Sequence, residues 1–305
     1  MQGEAKETKR VAVVMLTINQ REMTLRALNS VMPQTDNEVG VLLWDNGSSD
    51  GTREAVQNGF PEVLLGGSQD NLGVAGGRNA GAALAIQYWN PEYLLFLDND
   101  LVLRSGFIRH LVATLDSMPD VGQVQAKLLY LDEPGRINDG GGSRIVFWRG
   151  STDPVGFKEP DRGQCDQQAE CVSCGGAMMV RRRLFESLGG FDQIFSPYGP
   201  EDIDFSLRLK ASGMRAIYNP LAVALHAANH TWGKEGYTAS YAHSRVRHWL
   251  RFLHRHASPL QKTGFYLLGA PLIAMRMAFR ELSRGNFAAL AGSVRGLFAM
   301  IWGSK

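Results

Sequence analysis

In the run LLFLDNDLVL, Leu94 to Leu103, two carboxylates interrupt an apolar strand signal. Asp98 and Asp100 stand at i and i+2, a spacing that in extended chain sends both groups to one side and Asn99 to the other. Such a pair suits a hard divalent cation whose remaining ligands are water and phosphate oxygens. The same residues also suit an Asx-type turn at a strand end, so the triplet alone is ambiguous. A second acidic group lies in PEDIDFSLRL, Pro200 to Leu209. Glu201 and Asp202 fall in the first turn of a predicted helix, where acids are favoured for capping alone, and Asp204 stands i,i+4 from Arg208 as a structural pair. The third stretch is DNLGVAGGRNAG, Asp70 to Gly81. Its Gly73, Gly76 and Gly77 let backbone approach a ligand, and Arg78 with the following helix N-terminus offers positive potential to a phosphate. A tight loop with close helix packing explains the same glycines.

These residues need a frame to bring them together. VAVVMLT (Val11 to Thr17), EVGVLLWD (Glu38 to Asp45), EVLLG (Glu62 to Gly66) and YLLFLD (Tyr93 to Asp98) read as strands. REMTLRALNSV, a short helix after NGSSDGT, and NAGAALAIQYW (Asn79 to Trp89) read as the helices between them. Such alternation predicts an α/β fold with a mostly parallel central sheet flanked by helices. Ligands in open α/β sheets collect beyond the carboxyl ends of the strands. Thr17 and Asn19 follow the first strand, Asp45 closes the second and Asp98 the fourth, so three strand ends aim polar groups at one crevice.

Composition narrows the chemistry. A chain of 305 residues that is 44% hydrophobic supports one large domain, or one domain with a smaller appendage. Neither G-x-x-x-x-G-K-[ST] nor a G-x-G-x-x-G after the first strand occurs, which removes the usual sequence support for ATP hydrolysis and dinucleotide redox chemistry. Cys165, Cys171 and Cys174 are too few for a disulfide framework; free thiols of a reducing cytosol fit better than a zinc site without an obvious fourth ligand. MQGEAKETKR is polar and the apolar run after it only strand length, which reads as a disordered tail over residues 1–10 and no secretory signal.

The net charge of +2 hides an uneven distribution. From His243 to Lys305 ten Lys or Arg face a single acid, Glu281, while the rest of the chain is acidic. YAHSRVRHWLRFLHRH places Val246, Trp249, Leu250 and Leu253 at helical spacing beside a row of Arg247, Arg251 and Arg255. A basic amphipathic helix of this kind can lie on an anionic membrane, or pack on the catalytic domain or a second subunit as a homodimer. GFYLLGAPLIAM is too short to cross hydrocarbon. An acidic crevice and the lack of a recognised motif argue against nucleic acid. INDGGGSRIVFWRGSTDPVGFKEPDRGQCDQ, rich in Gly, Pro and charge, reads as a long mobile connection.

Taken in order, VVMLTIN, LLWDNGSSDGT, NLGVAGGRNAG, LLFLDND, GGAMMVRR, GGFDQIF and EDIDFSLRLKASG resemble a family 2 inverting glycosyltransferase of the GT-A fold, nearest to bacterial rhamnosyltransferase-like members. The likeness runs from Val11 to His226. It implies a GT-A nucleotide-diphospho-sugar transferase domain over 11–232 and a basic amphipathic helical extension over 233–305. By this resemblance Thr17, Asn19, Asp45, Asn71, Gly76, Arg78 and Asp98 bind the donor nucleotide, with Asp45 at the base and Asp98 on the ribose side. Asp100, with His226, holds Mg²⁺ or Mn²⁺; a hydrogen-bonded core histidine remains the alternative for His226. Asp202 is the general base and Glu201 its supporting carboxylate. His230 and Trp232 belong to a loop that closes over the donor or meets the acceptor. The implied donor is dTDP-rhamnose, with UDP-sugars open, and the acceptor a glycan or polyprenyl-linked glycan. The setting is cytoplasmic, peripheral on the inner face of the cytoplasmic membrane. A sugar nucleotidyltransferase and a catalytically silent nucleotide-sugar-binding scaffold are the competing readings.

Overall fold

Strand β1 (Val11–Thr17) is apolar on both faces and lies at the centre of a sheet covered on both sides: Val13 and Met15 join one buried cluster, Ala12 and Val14 the other. The computed structural model describes residues 8–172, 176–227 and 238–301. After β1 come α1 (Arg21–Val31), β2 (Val39–Asp45), α2 (Thr52–Gly59), β3 (Leu64–Gly67), α3 (Gly73–Trp89) and β4 (Tyr93–Asp98), in strict alternation. The four strands lie in the order β4-β1-β2-β3, all parallel. Helices α1 and α2 bury Leu28 and Val56 on one face, and α3 buries Ala82, Ala85 and Trp89 on the other.

Helix α3 begins six residues earlier than its apolar periodicity announces. Gly77 and Gly81 let it sit on β1: a Cβ on Gly77 would collide with Leu16, and one on Gly81 would lie 2.8 Å from Val14. Close helix packing thus accounts for part of the glycine pattern.

The second half is less regular. It runs β5 (Leu101–Leu103), α4 (Phe107–Ser117), β6 (Val121–Tyr130), β7 (Ile137–Asp139), β8 (Ser143–Val146), β9 (Ser151–Pro154), β10 (Ala169–Glu170), β11 (Ala177–Arg181), α5 (Arg182–Ser187), α6 (Glu201–Ala211) and β12 (Arg215–His226). The main sheet has ten strands: β10-β12-β6-β11-β4-β1-β2-β3, with β5 added to β12 and β7 to β6. Strand β11 is antiparallel to both β4 and β6, so the sheet is mixed.

The segment Ile137–Gln167, expected as a mobile connection, is built into the fold. It supplies β7 and the β8–β9 hairpin, which turns at Gly150 with φ +59°. Buried Lys127 anchors it through Asp161 and Asp166, each at 2.7 Å. Its glycines serve turns and close approaches, which composition alone reads as flexibility.

The extension comprises α7 (Ala239–His256), α8 (Pro259–Gly264), a π-helical turn (Phe265–Gly269), α9 (Ala270–Ser283) and α10 (Phe287–Ile301). Helix α10 seats on α7 at Gly292 and Gly296, where a Cβ would strike the carbonyl oxygens of Ala239 and His243. Of the placements that the amphipathic pattern of α7 left open, the later arginines of its row take packing on the catalytic domain. Arg251 donates to the Ile194 carbonyl at 2.8 Å, and Arg255 reaches Asp204 at 2.9 Å and Asp192 at 2.8 Å. Among the described residues no helix is long and apolar enough to cross a membrane.

Candidate active site

Register brings the strand ends level. Thr17 stands beside Asp45 across β1 and β2, and Leu16 beside Asp98 across β1 and β4. Thr17 Oγ1 lies 2.7 Å from Thr24 Oγ1, and Asn99 Nδ2 donates to both hydroxyls at 3.1 and 3.0 Å. Buried Asp45 accepts from the Ser48 amide at 2.9 Å, closing the turn after β2. Asn19, with a left-handed φ of +49°, accepts from the Ser49 amide at 2.7 Å and ties the first strand-end loop to the second. The glycine-rich loop is fastened by Asn46, a residue that sequence reasoning passed over. Its Nδ2 donates to Asn71 Oδ1 at 2.8 Å and its Oδ1 accepts from the Leu72 amide at 3.1 Å. The available signal was a second polar residue directly after Asp45 at a strand end. Asn71 accepts from the amide of Gly73, which opens α3 at φ +72°; Gly76 follows within the first turn of the helix.

The three residues of the D-N-D triplet take three directions. Asp98 closes β4 and meets Arg78. Asn99 turns to the threonines. Asp100 lies in the tight turn into β5, whose Leu101 pairs with His226 on β12. That pairing carries Asp100 Oδ2 to 3.2 Å from His226 Nε2. His226 Nδ1 in turn lies 2.8 Å from Asn138 Oδ1, a β7 residue absent from the sequence expectation.

Arg78 is the hinge of the site. It is only 4% exposed, lies over the Phe191 ring, and divides its guanidinium between Asp98 Oδ1 at 2.5 Å and Glu201 Oε1 at 3.4 Å. A residue expected to meet phosphate therefore also joins the end of β4 to the start of α6. Glu201 and Asp202 open that helix behind Pro200, and Asp202 Oδ1 accepts from the Ile203 amide at 2.7 Å. Burial drives both carboxyl pKa values upward; the Asp202 charge adds to the rise at Glu201, while Arg78 opposes it at both. A carboxylate displaced toward neutral pH is a competent proton acceptor.

The Asp100–His226 pair has the chemistry of half a cation site. With Nδ1 donating to the Asn138 amide oxygen, a neutral His226 turns a lone pair toward a carboxylate oxygen, an arrangement that needs a proton or a cation between them. Burial alone would lower the His226 pKa; the Asp100 carboxylate outweighs it and raises it. Among the described residues no group of three or more His, Cys, Asp or Glu side chains could hold a metal alone. Two protein ligands fit an ion that takes its other oxygens from a bound diphosphate and water. His230, Trp232 and Cys174 lie outside the described residues.

On the same helix α6, Asp204 is fully buried and takes 2.7 Å from Arg208, 2.9 Å from Arg255 and 2.8 Å from His256. The expected pairing with Arg208 is thus present, and two further cations come from α7. His248 Nδ1 also lies 2.6 Å from the Tyr198 carbonyl. Helix α7 therefore holds the segment that leads into Glu201.

Comparison with known proteins gives concordant findings. The model of Glycosyl transferase family 2 matches residues 12–189, and that of the N-terminal domain of galactosyltransferase matches residues 164–235. The chain is 27% identical over 252 residues to the N-acetylglucosaminyl-diphospho-decaprenol L-rhamnosyltransferase of Mycobacterium tuberculosis, covering 76% of this chain and 81% of that protein. The mannosyltransferase PcManGT from Pyrobaculum calidifontis, solved with GDP-Man and Mn2+, superposes with a TM-score of 0.58 at 18% identity, over 98% of this chain and 88% of its own. GalNAc-T7, solved with UDP, GalNAc and Mn2+, gives 0.57 at 17% identity, over 71% and 42%. At these identities the structural likeness speaks for the GT-A-like fold.

Proposed function

The chain belongs to glycosyl transferase family 2, and from that premise we propose that it is a metal-dependent inverting transferase that moves a sugar, rhamnose favoured, from a nucleoside-diphosphate donor to an acceptor hydroxyl. The observation that carries the reading is the junction at Arg78, which joins the donor-side carboxylate Asp98 to the acid pair Glu201 and Asp202. Thr17, Asn19, Asp45, Asn71 and Gly76 line the nucleotide side; Asp100 and His226 would hold Mg²⁺ or Mn²⁺. Bound there, the ion would supply positive charge to the departing diphosphate.

Asp202 accepts the acceptor hydroxyl proton as that oxygen forms its bond to the anomeric carbon. The bond from the anomeric carbon to the diphosphate oxygen breaks on the opposite face, its electron pair leaves with the nucleoside diphosphate, and the configuration inverts. Glu201, with its pKa raised further than an isolated carboxyl, orients the acceptor or shares the proton. The rhamnosyl donor and a polyprenyl-linked acceptor are supported by the mycobacterial relative, whose name states both a rhamnosyl transfer and a diphospho-decaprenol acceptor. The domain division at 11–232 and 233–305, and a working place at the inner face of the cytoplasmic membrane, belong to the same proposal.

The test is turnover of a nucleotide-sugar panel, including dTDP-rhamnose and UDP-sugars, with Mg²⁺, Mn²⁺ or EDTA. Release of a nucleoside diphosphate that EDTA stops supports the reading. Pyrophosphate release from a sugar phosphate and a nucleoside triphosphate marks a nucleotidyltransferase instead, and donor binding without turnover in the presence of lipid-linked acceptor marks a scaffold.

A further inference from the structure

The extension shows an exposed apolar surface that the transfer reaction does not use. Leu260 is 82% exposed, Leu267 71%, Leu268 67% and Phe279 77%, with Met275 and Leu282 beside them. On α9, Met275, Phe279 and Leu282 recur at i, i+4 and i+7 and so form one stripe. Arg276 and Arg280 follow Met275 and Phe279 by one residue, and Arg284 follows Leu282 by two, so that arginines four apart flank the stripe. The single acid from His243 onward, Glu281, is wholly buried against Arg280 Nε at 2.5 Å. From His243 onward the described surface therefore presents cationic groups and no carboxylate side chain.

We infer that this face, α8 through α9, docks the protein on an anionic phospholipid bilayer, with the leucines and Phe279 in the acyl boundary and Arg276, Arg284 and Lys262 at the headgroups. The inference deepens the peripheral-membrane part of the proposal above and does not depend on which sugar is transferred. Three features select lipid. The apolar side chains stand out of the surface, as insertion requires, and the helices are too short and too charged to span. The charge is of one sign and complements an anionic leaflet. A second copy docked through the same face would set two arginine rows against each other, a like-charge contact that disfavours association. Arg251 and Arg255 of α7 are already committed to the catalytic domain, which leaves the exposed arginines of α9 beside the apolar stripe for lipid contact.

The test is sedimentation of the full chain with vesicles of equal parts phosphatidylglycerol and phosphatidylcholine, against pure phosphatidylcholine, with donor turnover followed in parallel. The parent protein is expected to bind the anionic vesicles and lose binding as salt rises. R276Q with R284Q is expected to weaken partition about 25-fold, at about fivefold per arginine. L268Q with F279Q is expected to weaken it at least tenfold. Neither pair is expected to alter the thermal unfolding midpoint. Equal binding to neutral and anionic vesicles, unchanged binding by both double variants, or a concentration-dependent dimer that F279Q dissolves would overturn the inference. Vesicle binding without turnover on any donor counts against the transferase reading alone.

Discussion

Two acidic environments sit less than one helical turn apart on α6, and they are opposites. At the first turn, burial lifts Glu201 and Asp202 toward their neutral forms, with one shared arginine as counter-charge. Two residues on, Asp204 is buried more completely, yet its carboxyl is held below the usual range. Burial pushes it up there too, and hydrogen bonds from His256, Arg208 and Arg255 prevail. Burial alone does not decide what a carboxylate does; the number of cations that answer it does. The saturated one holds the helix in place, and the under-answered pair retains the higher proton affinity.

The largest effect expected from breaking that contrast is at Asp202. Asp202→Asn should lower kcat by about a thousandfold while leaving the denaturation midpoint where it was; retained turnover would remove Asp202 as the base. In the parent, the base must be unprotonated to act, so kcat/KM should rise with pH along a limb that lies above the ordinary carboxyl value of about 4. Asp204→Asn should do the reverse, costing about 3 kcal/mol of stability at pH 7 in urea or guanidinium unfolding. The sign follows from linkage: a carboxyl with a lowered folded pKa stabilises above its unfolded pKa and loses that contribution as pH falls through the folded value. The Asp204→Asn variant should therefore show a flatter acid side of its stability curve than the parent.

Arg78→Lys sharpens the other side. It keeps one positive charge but loses the fork that serves two carboxylates, and should cost about 2 kcal/mol in kcat/KM, roughly thirtyfold. A change under twofold would mean that a point charge suffices at this junction. Smallest is Arg255→Gln, which leaves Arg208 and His256 on Asp204; the arginine is a third exposed, so about 1 kcal/mol of stability is expected. A larger loss would locate the seam's strength in α7.

Much of this was legible in the sequence. β1, α1 and β4 have the bounds their apolar patterns announce, and the pairing of Asp204 with Arg208 follows from helical spacing. The seven ordered blocks pointed to the GT-A fold that the comparisons bear out. What was hidden depends on long-range register. Nothing local links Asn138 to His226 or Arg255 to Asp204; β7 on β6 and α7 beneath α6 make those contacts. The arginine row of α7 is undecided in sequence for the same reason: amphipathic spacing shows that a helix has two faces and is silent on what each face meets. The start of α3 was misplaced because glycine propensity argues for loop, while packing against β1 rewards the missing side chains.

The seat of α10 on α7 has a consequence for how freely this extension can vary. At Gly292 and Gly296 the two backbones touch, with a Cβ on either aimed into a carbonyl oxygen. One added methyl group there must shift a whole helix. On the outer surface, replacing Leu267 or Phe279 asks little of the packing, because those side chains are 71% and 77% exposed. The extension therefore behaves like a tile with a fixed tongue and a free glaze: drift, or a designer, can recolour its outer face toward other surfaces while the joint that locates it tolerates almost no change.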